Sequence, residues 1–226
     1  MNQISIEEIM NNALDLNDQF EFKCDCCGKC CENRTDILLS ALDLYRISKY
    51  LARDISYVIK RYCLVSIGTT SKVPIILLKP VGKKLSCPFL RDRKCSIHKA
   101  KPTVCELFPL GRFTVITEDK KKMQYFNQNP GCGKVGCKQT VKDWIKNLAI
   151  YEKTSQVWTE IITEWTEVSN MLCRIKCDGK KLDLYYQMLI HKLYIEYDSE
   201  KDFHEQLIKR KEELDKIREQ IIEQIK

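Results

Sequence analysis

Apolar residues recur at helical spacing in three short stretches near the start of the chain. Residues 5–16 place their apolar side chains on one face, which predicts a short amphipathic helix. A second helix is predicted from Ser40 to Leu51 and a third over Ile55–Tyr62. Ser40 and Asp54 precede these two helices, and their short oxygen-bearing side chains can accept hydrogen bonds from the first free amide groups. Each stretch is therefore expected to form a helix of two to four turns.

Apolar runs bounded by small polar residues indicate strands in the middle of the chain. Leu64–Gly68 and Val73–Leu78 are predicted to form one hairpin. Arg112–Thr117 and Lys122–Phe126 are predicted to form a second hairpin across a charged turn. Residues 18–23 are expected to be extended.

From residue 140 to residue 226 almost every segment is compatible with a helix. Asp178-Gly179 interrupts the apolar periodicity, Leu182–Tyr197 resumes it, and an amphipathic helix is expected at the end of the chain. Four aromatic residues keep gaps of seven and predict one aromatic face on a helix: Trp144, Tyr151, Trp158 and Trp165. We expect this face to be buried against the rest of the protein.

Together these patterns predict an α+β fold. Residues 1–140 are expected to form a small metal-binding domain with short hairpins and an N-terminal helix. Residues 141–226 are expected to form a mainly α-helical region that packs on it. We detect no internal repeat and no low-complexity linker.

The composition is typical of a soluble globular protein, with 44% hydrophobic and 31% charged residues in a chain of 226. No apolar run reaches the roughly 18 residues that a membrane helix needs, so no membrane association is expected. Met1–Met10 lacks the basic segment and apolar core of an export signal, and we expect a cytoplasmic protein. The net charge of +7 is spread through both signs, which does not favour a nucleic-acid partner. A protein partner or a protein substrate is compatible with this composition.

Cysteine dominates the chemistry of the sequence, with 13 residues, five of them in Phe22–Cys31, here called the cysteine wrap. Cys24, Cys27 and Cys30 are separated by two residues each, and Cys31 follows directly. A run of three thiolates at this spacing is what bacterial ferredoxins use to hold an iron–sulfur cube. Zinc sites use the same gap, but mostly in separated pairs. In a reducing compartment the wrap predicts a metal site and not a set of disulfides.

Two further segments carry cysteines in turns. The central cysteine loop, residues 86–109, holds three cysteines among prolines that prevent a continuous helix. The glycine loop, residues 129–137, holds two more. Gly131–Gly136 also fits the dinucleotide fingerprint by letter, but no strand–helix–strand context surrounds it. A turn that presents a metal ligand is the preferred interpretation.

These three segments resemble the YkgJ, or CxxCxxCC, family of zinc- or iron-chelating proteins. The resemblance rests on Phe22 before the CxxCxxCC run, on Cys87-Pro88-Phe89-Leu90, on Cys95 before Ile97-His98, on the turn from Cys105 to Pro109, and on Cys132 in a glycine-rich turn. It covers about residues 22–140. Many members of the family are described as iron–sulfur oxidoreductases or zinc/iron-chelating proteins. A related branch includes lysine N-methylases that act on flagellin.

The resemblance implies eight cysteine ligands: Cys24, Cys27, Cys30, Cys31, Cys87, Cys95, Cys105 and Cys132. Eight thiolates can fill two four-ligand sites, as two iron–sulfur clusters or as one cluster with one structural zinc. Alternatively, four hold a single cluster while the rest pack or line a pocket. Because Cys30 and Cys31 are adjacent, one of them is expected to serve another centre or to stay free. The ferredoxin-like gap favours an iron–sulfur cluster, of the 4Fe–4S type, over zinc.

Five cysteines lie outside this pattern: Cys26, Cys63, Cys137, Cys173 and Cys177. Cys173 and Cys177, four apart on a predicted helix, would face the same side and can clamp a metal with Cys137. A pair of small buried hydrophobic residues is the preferred interpretation. His98 can be a fourth ligand, an acid–base group or a structural residue.

Three functions follow from these observations. The preferred hypothesis is an intracellular iron–sulfur protein with a redox or catalytic role on an unidentified substrate. The second is a zinc-binding, non-catalytic module whose C-terminal helices bind a protein partner. The third is a protein-modifying enzyme similar to the lysine N-methylases, although no methyl-donor site is visible. No catalytic residue is predicted.

Overall fold

The computed structural model describes residues 6–116, 121–128, 130–175 and 177–225. The fold class is α+β, as predicted, with about 50% helix and 20% strand in short antiparallel hairpins. Among the described residues, no helix combines the length and the apolar character that crossing a membrane requires.

The helices of the described chain range from one turn to six turns. They are α1 Ile6–Asn11, α2 Ala41–Leu51, α3 Ile55–Tyr62, α4 Thr103–Leu107, α5 Val141–Trp144, α6 Glu152–Arg174, α7 Gly179–Ile190 and α8 Phe203–Ile225. Single turns of 3-10 helix occur at Lys29–Cys31, His98–Ala100 and Ala149–Tyr151.

The strands are short and pair only antiparallel within the described ranges. They are β1 Gln19–Lys23, β2 Leu38–Leu39, β3 Cys63–Ile67, β4 Pro74–Leu78, β5 Leu90–Arg91, β6 Lys94–Cys95, β7 Leu110–Ile116, β8 Lys121–Asn127 and β9 Lys134–Thr140. Strands β2, β4 and β3 form a three-stranded sheet in that order, and the pairs β1–β9, β5–β6 and β7–β8 are separate.

The chain divides into two compact units that are each discontinuous in sequence. The cysteine unit combines Met1–Arg34 with Pro80–Ile150, and the helical unit combines Thr35–Lys79 with Tyr151–Lys226. The segment with α2, α3 and the three-stranded sheet therefore groups with the C-terminal helices. The two continuous domains expected from the sequence, 1–140 and 141–226, stay a prediction, because contact grouping does not by itself define what folds independently.

Local signals in the sequence account for most of the elements. Ser40 caps α2 in a reciprocal capping box, accepting from the Asp43 amide at 3.2 Å while the Asp43 carboxylate accepts from the Ser40 amide at 2.9 Å. Asp54 is the N-cap of α3, and Thr140 is the N-cap of α5. Both predicted hairpins are confirmed by β3–β4 and β7–β8. Residue 5, where the first predicted helix starts, and the charged turn at 117–120 lie outside the described residues.

The core of the cysteine unit is built on the two phenylalanines of β1. Phe20 and Phe22 are buried on the same face of the strand, and the indole of Trp144 packs edge-on against both rings at 5.8 and 5.7 Å between centroids. The indole N–H of Trp144 donates to the carbonyl of Leu107 at 2.9 Å. The rest of this core consists of Leu107, Leu110, Tyr125, Val141 and Leu148. The end of β1, where the cysteine wrap starts, is thereby fixed to the interior.

The helical unit has its own core around α6 and α8. Trp165 of α6 is fully buried, and so are Leu207 and Leu214 of α8. Tyr194, in a π-helical turn after α7, donates its hydroxyl hydrogen bond to the carbonyl of Pro74 in β4 at 3.0 Å. This bond ties the three-stranded sheet to the C-terminal helices.

The prediction of one helical face carrying all four aromatic residues is wrong. Trp144 ends the short helix α5, and Tyr151 lies in a 3-10 turn before α6 begins at Glu152. Only Trp158 and Trp165 share a helix. The gaps of seven are misleading because Trp144 is held in the core of the cysteine unit, whereas Trp165 is buried in the core of the helical unit.

Candidate metal centre

The cysteine wrap leaves the sheet directly after β1 and folds into a tight turn. Gly28 has a φ of 76°, which an L-residue adopts only with strain, and it precedes the 3-10 turn Lys29–Cys31. The carboxylate of Asp25 accepts a hydrogen bond from the Cys27 amide at 3.2 Å, and the sulfur of Cys24 accepts one from the Cys26 amide at 3.4 Å. These two local bonds fix the backbone of the wrap, and the thiol of Cys24 is the only thiol that takes part in them.

The central cysteine loop lies against the wrap at Gly28. A Cβ atom added to Gly28 would come within 2.9 Å of the Arg93 carbonyl oxygen, so only glycine fits there. The Arg93 side chain donates from Nε to the Cys27 carbonyl at 3.3 Å. Arg93 connects β5 to β6, and this places Cys95 at the end of the β5–β6 hairpin close to the wrap.

A second contact joins the same loop to the end of the wrap. The Cys87 amide donates to the Cys31 carbonyl at 2.7 Å, and the Leu90 amide donates to the Cys87 carbonyl at 3.0 Å. Leu90 is paired with Cys95 across β5–β6. The hairpin therefore holds Cys87 and Cys95 on the side of the wrap that carries Cys31.

The glycine loop reaches the start of the wrap because β9 pairs with β1. Lys134 lies opposite Lys23 in this pair, and a bulge interrupts the register between Glu21 and Lys23. Gly133 has a φ of 84°, and an added Cβ would overlap the Phe22 ring and approach the Lys23 carbonyl oxygen to 2.9 Å. Cys132 is thus held beside the wrap. The sequence prediction of a loop through residue 137 is wrong in its second half, since Lys134–Thr140 is strand.

Within its described residues, 130–137, the glycine loop gives no support for a phosphate site. The backbone N–H of Gly136 donates to the carboxylate of Glu21 at 3.1 Å, so this amide already has an anionic partner within the chain. The helix that follows, α5, has only four residues. A dinucleotide fingerprint needs free amides at the start of a longer helix.

The eight cysteines implied by the family resemblance all lie in the cysteine unit, and several of their thiols contact one another in pairs. The sulfur atoms of Cys30 and Cys31 are 3.9 Å apart. The Cys31 thiol also interacts with that of Cys87, and the Cys27 thiol interacts with that of Cys132. Cys105, on α4, lies near enough to Cys87 for their charges to interact. Cys24 interacts in the same way with Cys30.

Burial and the contacts between thiols shift the pKa values of the cysteines in this cluster. Burial raises the pKa of Cys132 to about 11, with the neighbouring Cys27 adding to the effect. The pKa of Cys31 is raised to about 11, because the hydrogen bond from Cys30, which lowers it, is outweighed by the bond to Cys87 and by burial. The bond with Cys31 lowers the pKa of Cys87. A metal ion bound here would have to displace protons from most of these thiols.

Basic side chains surround the thiols and favour their charged form. The hydrogen bond with Cys31 and burial raise the pKa of Cys30, and the charge of Arg34 opposes this rise. Burial raises the pKa of Cys95, and Lys101 opposes it in the same way. The sequence pattern singles out neither Arg34 nor Arg93, which bonds the wrap at the Cys27 carbonyl. Only the glycine at position 28 hints that another chain segment approaches the wrap.

In the described part of the chain, no group of three or more Cys, His, Asp or Glu side chains is placed so that it could hold a metal ion. The donor set nevertheless fits a soft metal, since zinc and iron–sulfur clusters are held by cysteine thiolates presented on turns. None of the 13 cysteines, all of which lie in the described ranges, forms a disulfide.

The other cysteines take different positions. Cys26 and Cys137 are exposed in the cysteine unit, and Cys63 is buried in the helical unit. The prediction that Cys173 and Cys177 share a helical face is wrong: α6 ends at Arg174, and the Cys177 amide instead bonds the Leu172 carbonyl at 3.3 Å in the helix terminus. The Cys173 thiol contacts the Tyr186 hydroxyl at 3.9 Å.

His98, which the sequence leaves open as a ligand, is exposed on the 3-10 turn His98–Ala100. The adjacent Ile97 is buried and anchors that turn. The described contacts of His98 give no support for a role as a ligand.

Comparison with known proteins finds a family model that matches about half of the chain. Residues 23–133 match the CxxCxxCC family model, described as a "Putative zinc- or iron-chelating domain", which confirms the resemblance predicted from the sequence. A similar protein is an uncharacterized protein of Methanocaldococcus jannaschii, 36% identical over 90 residues. The alignment covers 39% of this chain and 44% of that relative, so the chain spans less than half of the relative's length. No solved structure matches the chain.

Proposed function

Because residues 23–133 carry the CxxCxxCC domain, we propose that the cysteine unit binds an iron–sulfur cluster of the 4Fe–4S type. The observation that carries this proposal is the position of Cys132. The β1–β9 pair and the contact of Gly133 with Phe22 and Lys23 bring this distant cysteine next to a run of three cysteines with two-residue gaps. Three ligands from one run and a fourth from a remote turn is the ligand pattern of ferredoxin-type cubes.

The role that we propose for the cluster is redox or catalytic, inside the cell, on a substrate or protein partner that is not identified. A bound cluster would supply one-electron transfer. The chain itself supplies the surroundings. Cys24 is exposed, so one edge of the cluster would lie near the surface, while the packed rings of Phe22 and Trp144 would keep water from the opposite side.

Zinc is the second candidate, and a specific observation favours it. Cys87, Cys95 and Cys105 lie outside the ferredoxin-like run, before β5, in β6 and in α4, and cysteine thiolates are the usual ligands of structural zinc. In that case the cysteine unit is a non-catalytic module that presents a protein-binding surface. The lysine N-methylase alternative stays a third hypothesis, and no contact of the described residues favours it.

Metal and sulfide analysis of protein purified without oxygen tests the proposal. We expect brown protein with broad visible absorbance, bound iron and acid-labile sulfide. Colourless protein with stoichiometric zinc and no sulfide would establish the second candidate in its place. Protein without any bound metal would contradict both.

Two matched substitutions locate the metal. Cys27→Ser removes a thiol of the wrap, and Cys63→Ser removes a buried thiol of the helical unit. We expect Cys27→Ser to lose much of the iron and Cys63→Ser to retain it. Equal losses in the two variants would show that metal content follows general stability and not the wrap.

A further inference from the structure

The three-stranded sheet of the helical unit has an open edge at β3. In the order β2–β4–β3, strand β3 pairs with β4 on one side, and the described residues place no strand on its other side. Its five residues, Cys63–Ile67, pair with β4 in regular register. The strand contains no lysine, proline or bulge, which are the usual features that keep an edge strand from pairing with another chain. The opposite edge, β2, has only two residues.

Two hydrogen bonds at the ends of the β3–β4 pair determine which backbone groups of β3 face the open side. The Gly68 amide donates to the Val73 carbonyl at 2.9 Å, and the Lys79 amide donates to the Tyr62 carbonyl at 2.8 Å. In an antiparallel pair such bonds recur at every second residue. The even-numbered residues of β3 are therefore bonded to β4, and the odd-numbered residues direct their backbone groups to the open side.

Apolar side chains are exposed on both faces of the sheet at this edge. Val65 pairs with the fully buried Ile76 and lies on the same face, yet it is 43% exposed. On the other face, Leu64 pairs with Leu77, which in turn pairs with Leu38. The two outer leucines of this row, Leu64 and Leu38, are 45% and 44% exposed. A further strand beside β3 would cover apolar surface on both faces.

Positive charge surrounds the start of β3. Residues 46–72 contain six basic residues and one acidic residue, which is the N-cap of α3. The guanidinium group of Arg53 lies over the ring of Tyr57, and that of Arg61 lies over the ring of Tyr62, at 5.5 and 6.0 Å from the ring centroids. Arg61 belongs to the last turn of α3, which leads directly into β3. The surface at the start of the open edge therefore suits an acidic partner.

We propose that the open edge of β3 binds an extended segment of a partner protein in which apolar residues are followed by acidic residues. The apolar residues add to the sheet as a strand that bonds the outward backbone groups of Val65 and Ile67. All pairs of described strands are antiparallel. In that orientation the C-terminal end of the segment lies at the start of β3, where its acidic residues meet Arg61.

A second copy of this chain is a poorer occupant of the edge. Each copy has a net charge of +7, and residues 46–72 carry part of this excess in both. Pairing of two β3 strands would leave the positive charge beside each strand without a compensating acid. The site lies in the helical unit and does not depend on the metal of the cysteine unit.

The test measures the binding of fluorescein-labelled peptides to the full chain by fluorescence anisotropy. The first peptide has five alternating valine and threonine residues followed by four glutamates. A second has the same residues in reverse order, and a third has lysines in place of the glutamates. We expect the first peptide to bind most tightly and its affinity to fall as the salt concentration rises. Equal affinity of the three peptides would overturn the proposal.

Matched variants separate the backbone contact from the charge. Val65→Pro removes an N–H that faces the open side, whereas Val65→Thr keeps it. Lys60→Glu with Arg61→Glu reverses two charges beside β3. Lys180→Glu with Lys181→Glu makes the same change on α7, where both lysines are exposed. Val65→Pro and the variant of Lys60 and Arg61 should each weaken binding by about tenfold, and the other two should bind like the wild type. Unchanged binding in the first two would contradict the proposal.

Amide hydrogen exchange locates the contact in the wild type, so the test does not depend on whether Val65→Pro folds. The amides of Val65 and Ile67 should exchange fast in the free protein and slowly with the first peptide bound, whereas those of Leu64 and Ser66 should be protected in both states. Protection outside β3 alone would overturn the proposal. A free protein that is already dimeric with β3 protected, or tighter binding of oligothymidylate than of the first peptide, would overturn it in favour of a second copy or of single-stranded nucleic acid.

Discussion

At the scale of single residues, two glycines determine how closely the cysteine segments approach each other. Gly28 admits the Arg93 carbonyl, and Gly133 admits the Phe22 ring and the Lys23 carbonyl. Both have a positive φ, so a side chain at either position would be strained as well as crowded. A third glycine, Gly82, has a φ of 68°, but a Cβ atom added there would meet no other atom within 4 Å.

These glycines give the first prediction. Gly82→Ala should cost about 1–2 kcal/mol through its positive φ alone. Gly133→Ala should add an overpacking cost of about 1–3 kcal/mol and should lower the metal content, because Cys132 is displaced. Chemical denaturation with metal analysis measures both effects. Equal stability and equal metal in the two variants would mean that the close approach at Gly133 is unimportant.

The second prediction concerns Cys63. Burial raises the pKa of this thiol to about 12, from an ordinary value of 9.0. At pH 8 we therefore expect native Cys63 to resist N-ethylmaleimide, while the exposed Cys137 reacts readily. Because the unfolded thiol ionises first, rising pH above about 9 should favour unfolding through this group. Rapid labelling of Cys63 in folded protein, with the same rate as in denaturant, would contradict this.

At the scale of elements, β1 and α5 connect the core of the cysteine unit to the wrap. Phe20 and Phe22 pack edge-on against Trp144, which also bonds the carbonyl of Leu107, the last residue of α4. The same helix α4 carries Cys105. The packing of one tryptophan therefore influences both the start of the wrap and a more distant candidate ligand.

The third prediction compares two tryptophans. Trp144→Ala should destabilise the protein by about 3 kcal/mol and weaken metal retention. Trp165→Ala, a fully buried position in the helical unit, should cost about 3–5 kcal/mol but leave the metal content unchanged in the folded protein. Unfolding curves and metal analysis of folded samples separate the two effects. Metal loss in Trp165→Ala alone would contradict the assignment of these residues to different cores.

At this scale the sequence predicts elements that depend on contacts between near neighbours in the chain, and it does not predict those that depend on contacts between distant segments. The caps at Ser40 and Asp54 act over three residues, and the helices that follow them are predicted correctly. The β1–β9 pair joins residues 19–23 to residues 134–140, which are far apart in the sequence, and no local sequence pattern predicts this pairing. The site shows the same limit: spacing identifies the wrap, but the contacts of Cys132 with Cys27 and of Cys87 with Cys31 depend on tertiary structure.

At the scale of the whole molecule, the order of the units along the chain differs from their grouping in space. Residues 35–79 lie between two parts of the cysteine unit in sequence but group with residues 151–226. Periodicity could not reveal this, because the bond from Tyr194 to the Pro74 carbonyl joins segments that are far apart in the sequence.

The fourth prediction uses this grouping. A cluster that joins the wrap to Cys132 closes a long loop and so stabilises the cysteine unit. A chelator should therefore increase amide hydrogen exchange in residues 19–31 and 130–140, with smaller changes in α2, α6 and α8. The exchange of residues 35–79 should follow that of residues 151–226. Uniform change along the chain, or none in the wrap, would contradict a metal centre in the cysteine unit.

The chain leaves and re-enters the cysteine unit at one place. The Asn33 amide donates to the Lys84 carbonyl at 2.9 Å, and the Arg34 amide donates to the Leu85 carbonyl at 3.2 Å. The two ends of the 35–79 segment are thus held side by side by residues of the cysteine unit. A short flexible linker in place of residues 35–79 is therefore expected to leave the strands of the cysteine unit paired, although it removes part of the helical unit. The backbone of the cysteine unit closes on itself at this junction, because residues 33–34 are hydrogen-bonded to residues 84–85.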